Sequence, residues 1–157
     1  MKSRWRARCT VDENAATVLP RLAVEYFEAG AALFESDRKP EELHAFRLKT
    51  KHFRYTMELF EEHYGPKFGL LMERLKPVQD ALGEINDATT ALAWLAEGDS
   101  ADVMRFLLAR IAEKTARFEK SWKTVFDKPG ERERWVAVLG RVAASGSGDE
   151  TGSRGPR

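Results

Sequence analysis

The stretch His44-Ala-Phe-Arg47-Leu-Lys49-Thr-Lys51-His-Phe-Arg54-Tyr55 decides how the chain reads. It carries four Lys/Arg and no acid. Pro40-Glu41-Glu42 precedes it, a composition suited to a first helical turn: Pro has no N–H to lose there, and the carboxylates complement the helix dipole. At about 100° per residue, His44, Arg47, Lys51 and Arg54 fall on one narrow stripe, about 15 Å long at 1.5 Å per residue. Leu43, Phe46, Phe53, Met57 and Phe60 flank that stripe on one side, and Leu48, Tyr55 and Leu59 on the other. Only the arc of Ala45, Lys49, His52 and Thr56 lacks large apolar residues. An ordinary basic face lies opposite the apolar face. Apolar flanks on both sides instead predict a stripe facing a cleft inside a helical bundle. Buried like charges are costly unless an anion or a carboxylate compensates them, so a polyanion is the first ligand to consider.

Outward from this helix, every segment reads as helical, and none shows the alternation of a strand. Thr10-Val-Asp-Glu13 is a capping-box pattern that starts a first helix running to about Glu35. Val18, Leu22, Tyr26 and Leu33 are its core candidates, and Pro20 is expected to kink it or move its start. The second helix is expected over Pro40–Tyr64, stopped by Gly65-Pro66. A third is expected over 67–97. There Leu71, Leu75, Val78, Leu82, Ile85 and Leu92 keep a seven-residue spacing that suits a bundle, and Pro77 should bend the axis. Gly83 weakens a helix interior, which a close approach of backbone or ligand would explain. Gly98-Asp99-Ser100 ends this helix and caps a fourth, over 101–127, with Met104, Leu108, Ile111, Phe118, Trp122 and Val125 on one side. Pro129-Gly130 breaks it, and a short fifth helix, Glu131–Ala144, packs Trp135, Val138 and Leu139. The expected architecture is all-α: four long helices and a short C-terminal one around a basic cleft. Its expected limits are a flexible N-terminus over 1–11, a helical domain over 12–144 and a disordered Gly/Ser-rich tail over 145–157.

The chain has 157 residues, enough for one domain with a real core. Charged residues make up 32% of it, but the net charge is only +1, so any anion site must come from local clustering. Cys9 is the only cysteine, which excludes an internal disulfide and fits a reducing compartment. The N-terminus is basic without a following apolar run, unlike a secretory signal, and no stretch is long and apolar enough to span a bilayer. A cytoplasmic setting is expected.

Three groups of residues could carry chemistry. A charge run alone is ordinarily a solvated or paired face, and Asp80, Glu84 and Asp87 are available to pair with the first stripe. Lys76, Asp80, Gly83 and Asp87 share one side of the third helix, with Gln79 and Asn86 between them and its apolar seam. Acids there can hold Arg and Lys in fixed rotamers. Arg110, Lys114 and Arg117 form a second basic stripe on the fourth helix, at i, i+4 and i+7, expected to line the opposite wall of the same groove. Di-iron bundles repeat Glu-x-x-His on two helices, whereas only Glu41-x-x-His44 has that spacing here, so no metal site is expected. Neither a phosphate-cradling Gly-rich loop nor a Gly-x-Ser-x-Gly elbow is present.

Two of these elements together resemble the conserved histidine α-helical domain, the CHAD family. Its first motif reads here as His44-x-x-Arg47-x-x-x-Lys51-x-x-Arg54-Tyr55. Its second reads as Leu75-Lys76-x-x-Gln79-Asp80-x-Leu82-Gly83-x-x-x-Asp87. The motifs span residues 44–87, and the surrounding helices extend the likeness to about 12–145. The resemblance implies an all-helical fold with a strongly basic cleft, non-catalytic binding of inorganic polyphosphate, and association with polyphosphate granules. Carried over by position, it makes His44, Arg47, Lys51, Arg54, Tyr55 and Lys76 candidate ligand contacts, with Gln79, Asp80 and Asp87 as their supports. Arg110, Lys114 and Arg117 join the contacts as the second stripe. No cofactor is implied. The usual domain of the family has two similar helical halves, whereas this chain carries one copy of the motif pair, closest to the second half. A homodimer that rebuilds the paired arrangement is therefore expected.

A row of cations suits a flexible polymer of closely spaced negative charges: Arg gives bidentate phosphate contacts, Lys a point charge. Protonated His44 would add to that attraction, so binding should strengthen below neutral pH. Two other readings remain. Nucleic-acid binding wants exposed cations with stacking aromatics or a groove-reading helix. A metal-dependent phosphoanhydride enzyme would need Asp80, Glu84 and Asp87 as a carboxylate cluster aimed at the cleft.

Overall fold

The computed structural model describes residues 5–95 and 100–142. Five α-helices follow one another: α1 (Val11–Glu35), α2 (Pro40–Glu58), α3 (Pro66–Trp94), α4 (Ala101–Val125) and α5 (Glu131–Leu139). A single 3₁₀ turn, Glu61–His63, lies between α2 and α3, and no strand occurs among the described residues. The all-α class, with four long helices and one short one, is as expected. The expected tail over 145–157 and the Gly98-Asp99 stop signal lie outside the described residues.

Local chemistry sets most of the helix ends. The Thr10 hydroxyl accepts from the Glu13 N–H at 3.2 Å, and the Glu13 carboxylate accepts from the Thr10 N–H at 2.8 Å, the reciprocal pair that closes a capping box. Pro20 stays inside α1, which continues to Glu35. The buried Asn14 side chain accepts from the Arg6 N–H (2.9 Å) and donates to the carbonyls of Arg6, Cys9 and Thr10, so the chain before α1 is tied to it. Ser100 caps α4 by accepting from the Asp102 N–H. Gly130 takes a left-handed φ of 76° between α4 and α5, a conformation that favours glycine.

The end of α2 differs from expectation. The helix stops at Glu58 rather than Tyr64, and Gly65-Pro66 opens α3 instead of closing α2. Packing decides this. Phe60 turns inward and is nearly buried, and Tyr64 stacks on Phe68 at 4.4 Å while its hydroxyl donates to the Leu139 carbonyl at 2.6 Å. Burial, and then the charge of Asp12, push the Tyr64 phenol up to about 12.

Aromatic rings dominate the core. Tyr26 on α1 meets Phe46 and Phe53 of α2 and Trp122 and Phe126 at the end of α4, with centroids 5.0–5.7 Å apart. Trp135 of α5 joins Phe27, Phe53 and Phe126. Gly30 makes this possible: a Cβ on it would sit 2.0 Å from the Trp122 ring. The Tyr26 hydroxyl is the polar exception, and Thr50 donates to it at 3.3 Å. The one buried acid among the described residues, Glu131, is held by Arg74, by Arg134 at 2.7 Å and by the Trp135 indole N–H at 3.1 Å.

α3 packs on α2 and α4, and α1 on α2 and α5. The expected seam of α3 is buried at Leu71, Leu75, Val78, Leu82 and Ile85, with Leu92 half-buried. α4 departs from its expected pattern. Phe118 and Trp122 are buried and Ile111 and Val125 half-buried, but Met104 and Leu108 are exposed. Rings from α1 and α2, those of Phe34 and Phe46, meet α4 at Phe118 and Trp122, while its first half runs beside α3.

Candidate functional site

The stripe on α2 exists, but only one of its flanks is core. Leu43, Phe46, Phe53, Met57 and Phe60 are buried, whereas Leu48, Tyr55 and Leu59 are 51%, 47% and 78% exposed. The second apolar wall expected on that side is therefore open to solvent. α2 packs on α1 and α3. His44 is exposed, and Arg47, Lys51 and Arg54 are half-buried.

Between α2 and α3 lies an open groove of about 390 Å³, lined by Arg47, Lys51, Tyr55, Gln79, Asp80, Gly83, Glu84 and Asp87, with Arg117 of α4. Seven of the twelve residues proposed from sequence thus meet in one place: Arg47, Lys51, Tyr55, Gln79, Asp80, Asp87 and Arg117. Its charged lining is mixed, with three cations and three carboxylates. Of these charges, Arg117 pairs with Glu84 at 3.5 Å, whereas the two cations of α2 pair with none of the three carboxylates. Among the described residues neither Arg47 nor Lys51 has an ion pair; the Lys51 ammonium instead stands 5.6 Å from the Tyr55 ring centroid. The expected pairing of the first stripe with Asp80, Glu84 and Asp87 is not what forms.

The other members of the stripe are held in place. Arg54 pairs with Glu58 of its own helix at 2.6 Å and donates to the Gln79 side-chain carbonyl at 3.2 Å. His44 Nδ1 lies 2.7 Å from the Asn86 side-chain oxygen and lines a separate, mostly apolar groove between the start of α2 and the end of α3. Lys76 is exposed and lines neither groove.

The second basic stripe is committed elsewhere. Glu84 takes Lys114 at 2.9 Å and Arg110 at 3.2 Å on one oxygen, and Arg117 at 3.5 Å on the other. Lys114 also reaches Glu113 at 3.2 Å. The hydrogen bond from Lys114, reinforced by the charges of the three cations, holds the Glu84 carboxyl below its ordinary range, and Glu84 in turn raises the Lys114 ammonium. Arg110 and Lys114 do not line the groove; Arg117 does. Sequence reading missed Glu84 as the hub of α4, because no single-helix spacing reports a partner on another helix. Gly83 was better signalled. Apart from its own stretch of α3, nothing lies within 4 Å of a Cβ built on it, so no other backbone approaches, and it lines the groove.

The CHAD domain matches residues 3–96 of the 157. This chain belongs to the CHAD domain family. The matched span holds α1, α2 and α3 with both motifs, whereas α4 and α5 lie outside it. The CHAD domain is associated in general with polyphosphate binding and is generally non-catalytic. No match was found among curated proteins or among solved structures. No helix among the described residues is long and apolar enough to cross a membrane.

Proposed function

We propose that this CHAD domain binds inorganic polyphosphate non-catalytically in the α2–α3 groove, and serves to target or scaffold at polyphosphate granules in the cytoplasm. The observation that carries this reading is the state of Arg47 and Lys51. Both are half-buried in the groove wall, and among the described residues both lack an ion pair. Partly desolvated cations without a protein counterion favour an anionic ligand. Their one-turn spacing offers successive contacts to a polymer. Arg54 and Tyr55 extend the row, and Gln79 fixes Arg54. His44, at the far end of the stripe, and exposed Lys76 are proposed as outer contacts. Asp80 and Asp87 are proposed to limit where along the groove phosphates settle.

The test is calorimetric titration with long-chain polyphosphate, set against single-stranded DNA at equal charge and salt, for the wild type and for Arg47→Glu/Lys51→Glu. Tight polyphosphate binding, weak DNA binding and loss in the variant are expected. Equal binding of both polymers would favour the nucleic-acid reading, for which exposed Tyr55 beside Lys51 and Arg54 is the supporting feature. A metal-dependent enzyme is disfavoured because Glu84, one of the three carboxylates it needs, is bound to α4 cations.

The single motif pair supports a homodimer as the working form. The exposed apolar residues of α4, Val103, Met104, Phe106 and Leu108, supply surface for a second copy. Light scattering across a concentration series should show a dimer, and a monomer at all concentrations would remove this part of the proposal.

A further inference from the structure

We infer that Glu84 is an internal stand-in for the ligand, which keeps the cations of α4 closed to short anions and opens them only to a polymeric one. The inference rests on the groove being the polyphosphate site.

Its basis is an arrangement that looks like an occupied anion site. Three cations at one-turn intervals on α4 converge on the two oxygens of a single carboxylate, at 2.9, 3.2 and 3.5 Å. One negative charge faces three positive ones, and Glu113 adds a contact to Lys114 alone. The cluster therefore keeps a positive excess, and a phosphate chain offers it more charge and more acceptor oxygens than Glu84 does. The cluster is also continuous with the groove: Glu84 and Arg117 line it together with Arg47 and Lys51, whereas Arg110 and Lys114 do not. A polyphosphate seated on α2 thus arrives at Glu84 before it reaches Arg110 or Lys114.

Competition at that point depends on length. Glu84 is tethered beside its partners, so a free small anion competes against a high effective concentration and gains little. A long chain already held on α2 presents its next phosphates from a tether of its own and competes on equal terms. Glu84 is 30% exposed, so its side chain can swing outward without opening the core. Glu84 would in this way set chain-length selectivity while the α2 stripe supplies the first contacts. A simple strap between α3 and α4 would have no such effect on selectivity.

The experiment compares tripolyphosphate with long-chain polyphosphate on the full chain, for the wild type, Glu84→Gln and Arg110→Gln, with helicity and thermal midpoint checked for each. With Glu84→Gln, tripolyphosphate affinity should rise about tenfold, equivalent to about 1.4 kcal/mol. Long-chain affinity should rise much less, so the preference for length shrinks. The salt dependence of tripolyphosphate binding should steepen by about 2, taking about 0.7–0.9 per added cation contact on a polyanion. Arg110→Gln should weaken the long chain several-fold more than tripolyphosphate. The inference is overturned if Glu84→Gln changes both ligands by the same factor, changes neither, or weakens binding. Should Glu84→Gln fail to fold, equal effects of Arg110→Gln on the two ligands overturn it. If wild-type protein binds neither ligand, the groove assignment itself is what fails, and the inference falls with it.

Discussion

At the scale of single residues, two glycines in helices call for opposite outcomes from the same substitution. Ala normally stabilises a helix interior by about 1 kcal/mol relative to Gly. At Gly30 that gain is overwhelmed, because the new methyl would fall 2.0 Å from the Trp122 ring, which Phe34, Phe46 and Phe126 hold in place. Gly30→Ala should destabilise the fold by about 3 kcal/mol, near the upper end for overpacking, as read by urea unfolding. At Gly83 the methyl meets nothing within 4 Å outside its own stretch of helix, so Gly83→Ala should raise stability by about 0.5–1 kcal/mol. The same methyl enters the groove, so polyphosphate affinity should fall while stability rises. A loss of both, or a gain of both, would show that Gly83 is not kept bare for a ligand. The sequence signalled the anomaly at Gly83 because a helix interior disfavours glycine. It gave no such signal at Gly30, whose reason is a ring from α4.

At the scale of helices, the clasp between α3 and α4 has a defined pH window. Glu84 is held below its ordinary range in the fold, so its contribution is complete above the unfolded carboxylate value of about 4.3 and is lost as pH falls through the folded one. Lys114 is raised, so its contribution is complete below the unfolded ammonium value of about 10.4 and is lost as pH rises through the folded one. The thermal midpoint of Glu84→Gln should therefore lie below that of the wild type at neutral pH and converge with it only as pH falls through the lowered folded value of Glu84. A gap that persists in acid would mean the side chain acts through packing rather than charge. Where the helices begin was largely legible, since Thr10-x-x-Glu13, Pro40 and Ser100 act through bonds within a few residues. The end of α2 was not. Gly65-Pro66 is compatible with either stopping one helix or starting the next, and the choice goes with the burial of Phe60 and the reach of Tyr64 to Leu139 on α5. The site divides the same way. Arg47, Lys51 and Tyr55 share one helix and could be grouped by spacing, whereas the diversion of Glu84 to α4 depends on how two helices are set side by side.

At the scale of the molecule, a net charge of +1 hides strong local contrast: Arg47 and Lys51 of α2 without ion pairs among the described residues, and cations of α4 that carry their own counterion. The same unevenness holds for burial. In its second half α4 seals the core with Phe118 and Trp122, while in its first half Val103, Met104, Phe106 and Leu108 stand in solvent beside α3. One unbroken helix thus joins two environments of different stability. Its backbone amides should not exchange with deuterium at one rate. Those around Trp122 should open only when the whole fold opens, and those around Met104 by fraying of the helix end, several orders of magnitude sooner. A second copy seated on that surface would slow the fast set alone, so the exchange profile of this one helix, followed against protein concentration, would read out self-association residue by residue.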